Sequence, residues 1–189
     1  RWRPLPPRRM EPATAAEVVP AFAAVAAAVA ELCSILRRCR SRRHTKEADH
    51  LRRYVEENPQ IDRVLITGGD PMIMKTKFLR QYIEPLMNIP HLNSIRVGTK
   101  AIAYWPYRFT EGEDADDLMR LIGEVRKAGK NFAVMAHSSH PVEFSTDVSE
   151  QAVKRLIDAG AVVRCQAPLI KRVNDHPDIW AALWRKQVA

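Results

Sequence analysis

Four short apolar runs, each followed by a stretch with helical spacing, leave this chain few folds to choose from. The runs are Arg63 to Thr67, Ser94 to Val97, Phe132 to Met135 and Val162 to Cys165. After the first, Phe78, Leu79, Tyr82, Ile83 and Leu86 recur every three or four positions. Leu118, Leu121, Ile122 and Val125 follow the second, Val148, Ala152, Leu156 and Ile157 the third, and Ile179, Leu183 and Trp184 the fourth. Units of about thirty to forty residues that alternate in this way predict βαβ crossovers, an α/β class and a parallel sheet. Val64, Leu65 and Ile66 show no polar alternation, as suits a strand buried on both faces. Four such units are too few to close an eight-unit barrel.

Punctuation between the elements supports the same reading. Thr45 is placed to cap a helix through Leu51, Tyr54 and Val55 that Asn58-Pro59 stops, and Ile89-Pro90 ends the helix after the first strand. Acids from Glu111 to Asp117 and bases at Arg126 and Lys127 complement a helix dipole, with Gly129 as the stop. Thr146 opens the next helix and Gly160 closes it.

Residues 1–45 differ from the rest. They hold five of the thirteen prolines, nine Arg and no Lys, with a helix expected over Ala13 to Arg38. Such a break in composition is expected of a linker or tail, or of a frameshifted or fused start. It also explains the net charge of +8: residues 1–43 carry a surplus of six, leaving only +2 for the remainder. No basic face with aromatic partners follows, which argues against nucleic acid. Ala21 to Ala30 is too short to span a bilayer, so no membrane is expected. Cys33, Cys39 and Cys165 are too few and scattered for a disulfide framework and point to a reducing compartment, the cytoplasm.

Polar or glycine-rich residues follow each strand: Gly68-Gly69-Asp70-Pro71, Gly98-Thr99-Lys100, His137 with His140, and Gln166. Strand ends on one rim of a parallel sheet face a common space, so these groups are candidates for a single ligand site. Gly68 and Gly69 permit backbone angles and a close ligand approach that a Cβ blocks. No metal is expected at His137 and His140, because no Cys, Asp or Glu completes a set. One imidazole is expected to face a ligand and the other to be structural or solvated. Cys33 and Cys39 match no zinc or iron–sulfur spacing. Tyr104-Trp105-Pro106-Tyr107-Arg108 reads as a platform for a ring, or as core or lid.

From Asp62 to Val188 the sequence resembles the lysine 2,3-aminomutase family of radical S-adenosylmethionine proteins. The matching segments are Leu65 to Pro71, Ile95 to Thr99, Ala136-His137 to Pro141, and Gln166 to Leu169 with Val173-Asn174-Asp175. The resemblance implies a partial parallel (β/α) barrel of the radical S-adenosylmethionine type that holds the cofactor against a [4Fe–4S] cluster. In intact relatives a 5′-deoxyadenosyl radical abstracts a substrate hydrogen and pyridoxal phosphate carries a 1,2-amino shift on an amino acid, an isomerase reaction. It places Gly68, Gly69, Asp70 and Pro71 at the methionyl amino group, and Thr99, His137 and Gln166 along the cofactor or its ribose. Ser138-Ser139 stand where the family has an aromatic residue and Asn, Cys165 precedes the Gln, and Arg172 replaces a common Gly. The cluster motif Cys-x-x-x-Cys-x-x-Cys is expected ahead of residue 45 and does not occur in these residues. Lys171 and Lys186 are poor stand-ins for the pyridoxal lysine. The expectation is a chain truncated at both ends and inactive by itself, or a non-catalytic α/β module that retains S-adenosylmethionine or nucleoside binding. Exposed strand edges on an unclosed half-barrel favour association or aggregation.

Overall fold

The computed structural model describes residues 44–188. The readings for residues 1–43, including the helix over Ala13 to Arg38, Cys33 and Cys39, lie outside them. The described elements are α1 (His44–Glu57), β1 (Arg63–Ile66), α2 (Thr76–Met87), β2 (Ser94–Thr99), α3 (Ala101–Tyr104), α4 (Tyr107–Thr110), α5 (Gly112–Lys127), β3 (Asn131–His137), α6 (Asp147–Asp158), β4 (Val162–Gln166) and α7 (Pro177–Val188). Single 3-10 turns at Pro71–Ile73 and Pro141–Phe144 follow β1 and β3. No helix among the described residues is long and apolar enough to cross a membrane.

All strands run parallel in the order β1-β2-β3-β4. Ile66 pairs with Val97, Val97 with Val134, and Val134 with Val163, so one apolar row crosses the sheet. With Val64, Ile95 and Phe132 this face packs on Leu79, Ile83, Leu86, Leu118, Leu121, Ile122 and Leu156 from the helices. A four-stranded parallel sheet with crossover helices is the arrangement of a partial (β/α) barrel.

Several boundaries differ from the sequence reading, each for a local reason. The parallel ladder carries Thr99, His137 and Gln166 inside their strands, as last residues rather than first loop residues. Thr45 lies within α1, which starts at His44. Leu65 is 41% exposed and so not buried on both faces, since β1 is an edge strand of the sheet. Ile157 and Trp184 are exposed as well, and α7 is anchored by buried Leu183 with Trp180 packed beside the core. The aromatic stretch folds into α3 and α4. Phe109 enters the core, while Tyr104, Trp105 and Tyr107 remain exposed.

The helix ends follow capping chemistry. Thr146 accepts from the Ser149 N–H, and Gly160 adopts φ +96° just past α6. Arg172, with φ +64°, is the one non-glycine residue among those described in the left-handed region. Across the α2–α5 interface, Arg80 binds Asp117 at 2.9 Å and Glu124 at 2.6 Å, and also reaches Glu84 on its own helix at 2.9 Å. Hydrogen bonds from Arg80 hold both the Asp117 and Glu124 carboxyls below their usual range.

Two outcomes are expected from these features. Arg172→Gly should raise stability by up to roughly 1 kcal/mol in urea unfolding, since relief of left-handed strain exceeds the entropy gained by the unfolded chain. Carboxylates titrating lower in the folded state stabilise it above about pH 4, and that contribution is lost as the pH falls through the folded values. Arg80→Met should therefore unfold more easily at neutral pH, and its stability should fall less steeply with acid than that of the parent chain.

Candidate functional site

A cavity of about 340 Å³ opens at the carboxyl ends of the strands. Gly68, Gly69, Asp70, Thr99, His137 and Gln166 all line it, joined by Lys100, Tyr104 and Met135. Pro71 instead lies buried at the start of the 3-10 turn behind the rim. The structure thus brings six of the seven expected residues to one space. The strand register explains why: His137 and Gln166 are paired neighbours, and Gly98 and Met135 pair two positions below, on the same face.

The turn after β1 exposes backbone. Gly68 has φ +149°, a conformation side chains disfavour, and a Cβ built on Gly69 meets nothing within 4 Å. Asp70 then gathers four donors. Its Oδ1 accepts from the Thr99 hydroxyl at 2.7 Å and the Met72 N–H at 3.0 Å. Its Oδ2 accepts from the Lys100 N–H at 2.8 Å and the Tyr104 hydroxyl at 3.0 Å. One carboxylate thereby caps the 3-10 turn and ties the end of β1 to the end of β2 and to α3. Thr99 is committed inwards too, because its Oγ1 accepts from the Ala101 N–H at 2.9 Å. Burial and the Asp70 contact push the Tyr104 phenol up to about 12.

The opposite wall is braced in the same manner. Lys100 Nζ binds Glu143 at 2.9 Å, and the other Glu143 oxygen accepts from the Ser139 N–H at 3.0 Å. Fully buried Asn174 donates to the carbonyls of Ser139 and Pro168, both at 2.8 Å, and accepts from the Ile170 N–H at 2.6 Å. His140 accepts from the Val142 N–H at 3.3 Å and so caps its own turn, whereas the His137 ring faces the cavity with Ser139 Oγ 3.4 Å away. No group of three or more His, Cys, Asp or Glu among the described residues could hold a metal ion.

Sequence reasoning missed three residues that shape the rim. Tyr104 sits one helical turn beyond Lys100, a spacing visible in the sequence but masked by the aromatic stretch around it. Glu143 pairs across forty-three positions and carries no local signal. Arg108 stands among aromatics in the sequence, yet it is almost fully buried. Its guanidinium donates to Met72 O at 2.8 Å, Met74 O at 3.1 Å and Thr76 Oγ1 at 3.0 Å, and pairs with Asp114 at 3.1 Å.

A four-stranded parallel α/β sheet with a polar cavity at its strand ends places the chain in the class of α/β proteins consistent with a partial (β/α) barrel. No family model matches the chain. It is 31% identical over 138 residues to the L-lysine 2,3-aminomutase of Bacillus subtilis, a match covering 73% of this chain and 27% of the relative. It is 30% identical over 136 residues to the L-lysine 2,3-aminomutase of Methanococcus maripaludis, covering 72% and 29%. The glutamate 2,3-aminomutase of Clostridioides difficile is 29% identical over 130 residues, covering 69% and 28%. The chain belongs to the lysine 2,3-aminomutase family. It spans about a third of the length of the curated relatives it matches.

Asp70→Asn should show how much the rim depends on this carboxylate. The amide has one acceptor oxygen where the carboxylate has two, so at least one backbone N–H, of Met72 or Lys100, loses its acceptor. A loss of about 1–3 kcal/mol in urea unfolding is expected.

Proposed function

We propose that this rim binds S-adenosylmethionine, and that residues 62–188 are the adenosylmethionine-binding part of an amino-acid 2,3-aminomutase of the radical S-adenosylmethionine type. The observation that carries the reading is the convergence of Gly68, Gly69, Asp70, Thr99, His137 and Gln166 on one cavity. It occurs in a chain whose relatives are named lysine and glutamate 2,3-aminomutases.

The residues present fit that cofactor. The cavity volume is in the range of small-molecule sites. Bare glycine backbone admits a close approach, and Asp70 supplies negative charge where a ligand ammonium is to sit. His137 and the Gln166 amide remain for hydrogen bonds to sugar hydroxyls. When bound in such enzymes, S-adenosylmethionine supplies the one-electron chemistry that starts a 1,2-amino shift. What these residues do is bind and orient it.

The described residues do not fit the family's other two groups. Cys165 is the one cysteine among them, far short of the thiolates a [4Fe–4S] cluster takes. Lys171 is exposed and Lys186 is tied to Glu150 at 2.9 Å, and neither lines the cavity to meet pyridoxal phosphate. No step through either group is derived. A non-catalytic α/β module with S-adenosylmethionine or nucleoside affinity is the second reading, since it needs the rim alone.

Calorimetric titration of the 189-residue chain with S-adenosylmethionine, without iron, tests the rim. Saturable binding is expected, and Gly69→Val should abolish it while leaving the thermal midpoint in place. The new side chain projects into open space, and Gly69 lies outside the left-handed region. Binding undiminished in that variant removes the rim from the reading. Anaerobic reconstitution with iron and sulfide is expected to give no cleavage of S-adenosylmethionine by these residues, because the described residues hold one cysteine; cleavage would show that the chain itself carries a cluster.

A further inference from the structure

We infer that the Tyr104 hydroxyl is a place-holder on Asp70, filling the acceptor position that the ammonium group of an amino-acid-bearing ligand takes, and that it swings away when such a ligand binds. The inference rests on the S-adenosylmethionine reading above and names the residue that gates the ligand's methionyl end.

A carboxylate offers about four acceptor positions, and those of Asp70 are all in use. Three of the donors cannot leave. The Met72 and Lys100 donors are backbone N–H groups, fixed by the 3-10 turn and by the end of β2. The Thr99 hydroxyl is buried and locked by its second bond to Ala101. A ligand that used one of these positions would have to unfold the rim first.

Tyr104 differs on each count. It is the last residue of a helix of four residues, is 55% exposed and lines the cavity. Its hydroxyl is held at 3.0 Å by Asp70. Rotation about its side-chain torsions carries the phenol into solvent without moving the backbone. The phenol stays protonated across the range in which the protein would work, so toward Asp70 it acts as a neutral donor. An ammonium presents an N–H donor to the same position with a full positive charge, and charge-assisted bonds are roughly twice as strong as neutral ones. The exchange therefore runs toward the ligand once the rest of the molecule is seated. Until then the hydroxyl keeps Asp70 satisfied and the turn in its binding shape.

A selectivity follows. A nucleoside that lacks the amino-acid end, such as 5′-methylthioadenosine, has no donor for this position and leaves Tyr104 where it is. S-Adenosylmethionine and S-adenosylhomocysteine carry the ammonium and displace it.

The test titrates the full chain, Tyr104→Phe and Tyr104→Leu with S-adenosylmethionine and, separately, with 5′-methylthioadenosine. Both variants remove the hydroxyl, and thermal unfolding reports whether each is folded. Removing a competing neutral hydrogen bond should tighten S-adenosylmethionine roughly three- to tenfold and leave 5′-methylthioadenosine unchanged. In 13C-tyrosine-labelled parent protein, the Tyr104 Cζ resonance should shift with S-adenosylmethionine and stay put with the nucleoside. An unchanged or weaker affinity in both variants, an equal gain for the nucleoside, or a Tyr104 resonance indifferent to S-adenosylmethionine overturns the inference. If the parent chain binds S-adenosylmethionine normally, such a result leaves the binding reading standing. If no protein binds it, both fall together.

Discussion

The buried guanidinium of Arg108 is the contact on which the geometry of the rim depends. A cation taken out of water is tolerated only where its donors are matched, and breaking such a pairing costs far more than its formation gains. Arg108 meets that demand with carbonyls of Met72 and Met74, the Thr76 hydroxyl and the Asp114 carboxylate. These partners belong to the turn after β1, the start of α2 and the start of α5. Asp114 also accepts from the Thr76 N–H at 3.0 Å, so the two helix starts share one carboxylate. The turn is thereby pinned from behind, and Asp70, two residues before Met72, is delivered to the cavity with little freedom left. From there the order passes outwards, through Asp70 to Thr99, Lys100 and Tyr104.

Much of this was legible from the chain. The parallel sheet followed from the alternation of apolar runs and helical spacing, because burial imposes those two periods directly. Gly68-Gly69-Asp70, Thr99, His137 and Gln166 were found because each stands at a strand end, and a parallel sheet brings strand ends together. What stayed hidden depends on pairings between distant positions. Nothing near Glu143 announces Lys100, and nothing near Arg108 announces the carbonyls of Met72 and Met74. Arg108 reads as a polar residue among aromatics, and only tertiary burial turns it into a structural cation. Leu65 failed for the opposite reason. An apolar strand says that both faces want cover, whereas exposure depends on the strand's place in the sheet, and β1 lies at its edge.

Arg172 shows how a sequence departure acquires a physical meaning. The resemblance marks it as an arginine where glycine is common, and the backbone there is left-handed. The turn holds an arginine in the conformation that glycine serves, and buried Asn174 helps to hold it by reaching back across Arg172 to the Ile170 N–H and the Pro168 carbonyl. The loop after β4 is tied to the Ser139 loop through the same amide.

The cavity residues thus divide by what their polar atoms are already doing. Asp70 and Thr99 spend their hydrogen bonds on the protein, and Lys100 on Glu143, so they fix the shape and charge of the site. His137, Gln166 and the backbone of Gly68 and Gly69 keep capacity facing the cavity. A carboxylate saturated by its own chain can still attract a cation through its charge, since Coulomb attraction needs no vacant lone pair. To form a direct bond, however, the cation must take a donor's place, and the ease of that exchange is set by the most loosely tethered donor. Tyr104 is that donor, so the selectivity of the rim resides in an exposed phenol rather than in the buried residues that define its shape.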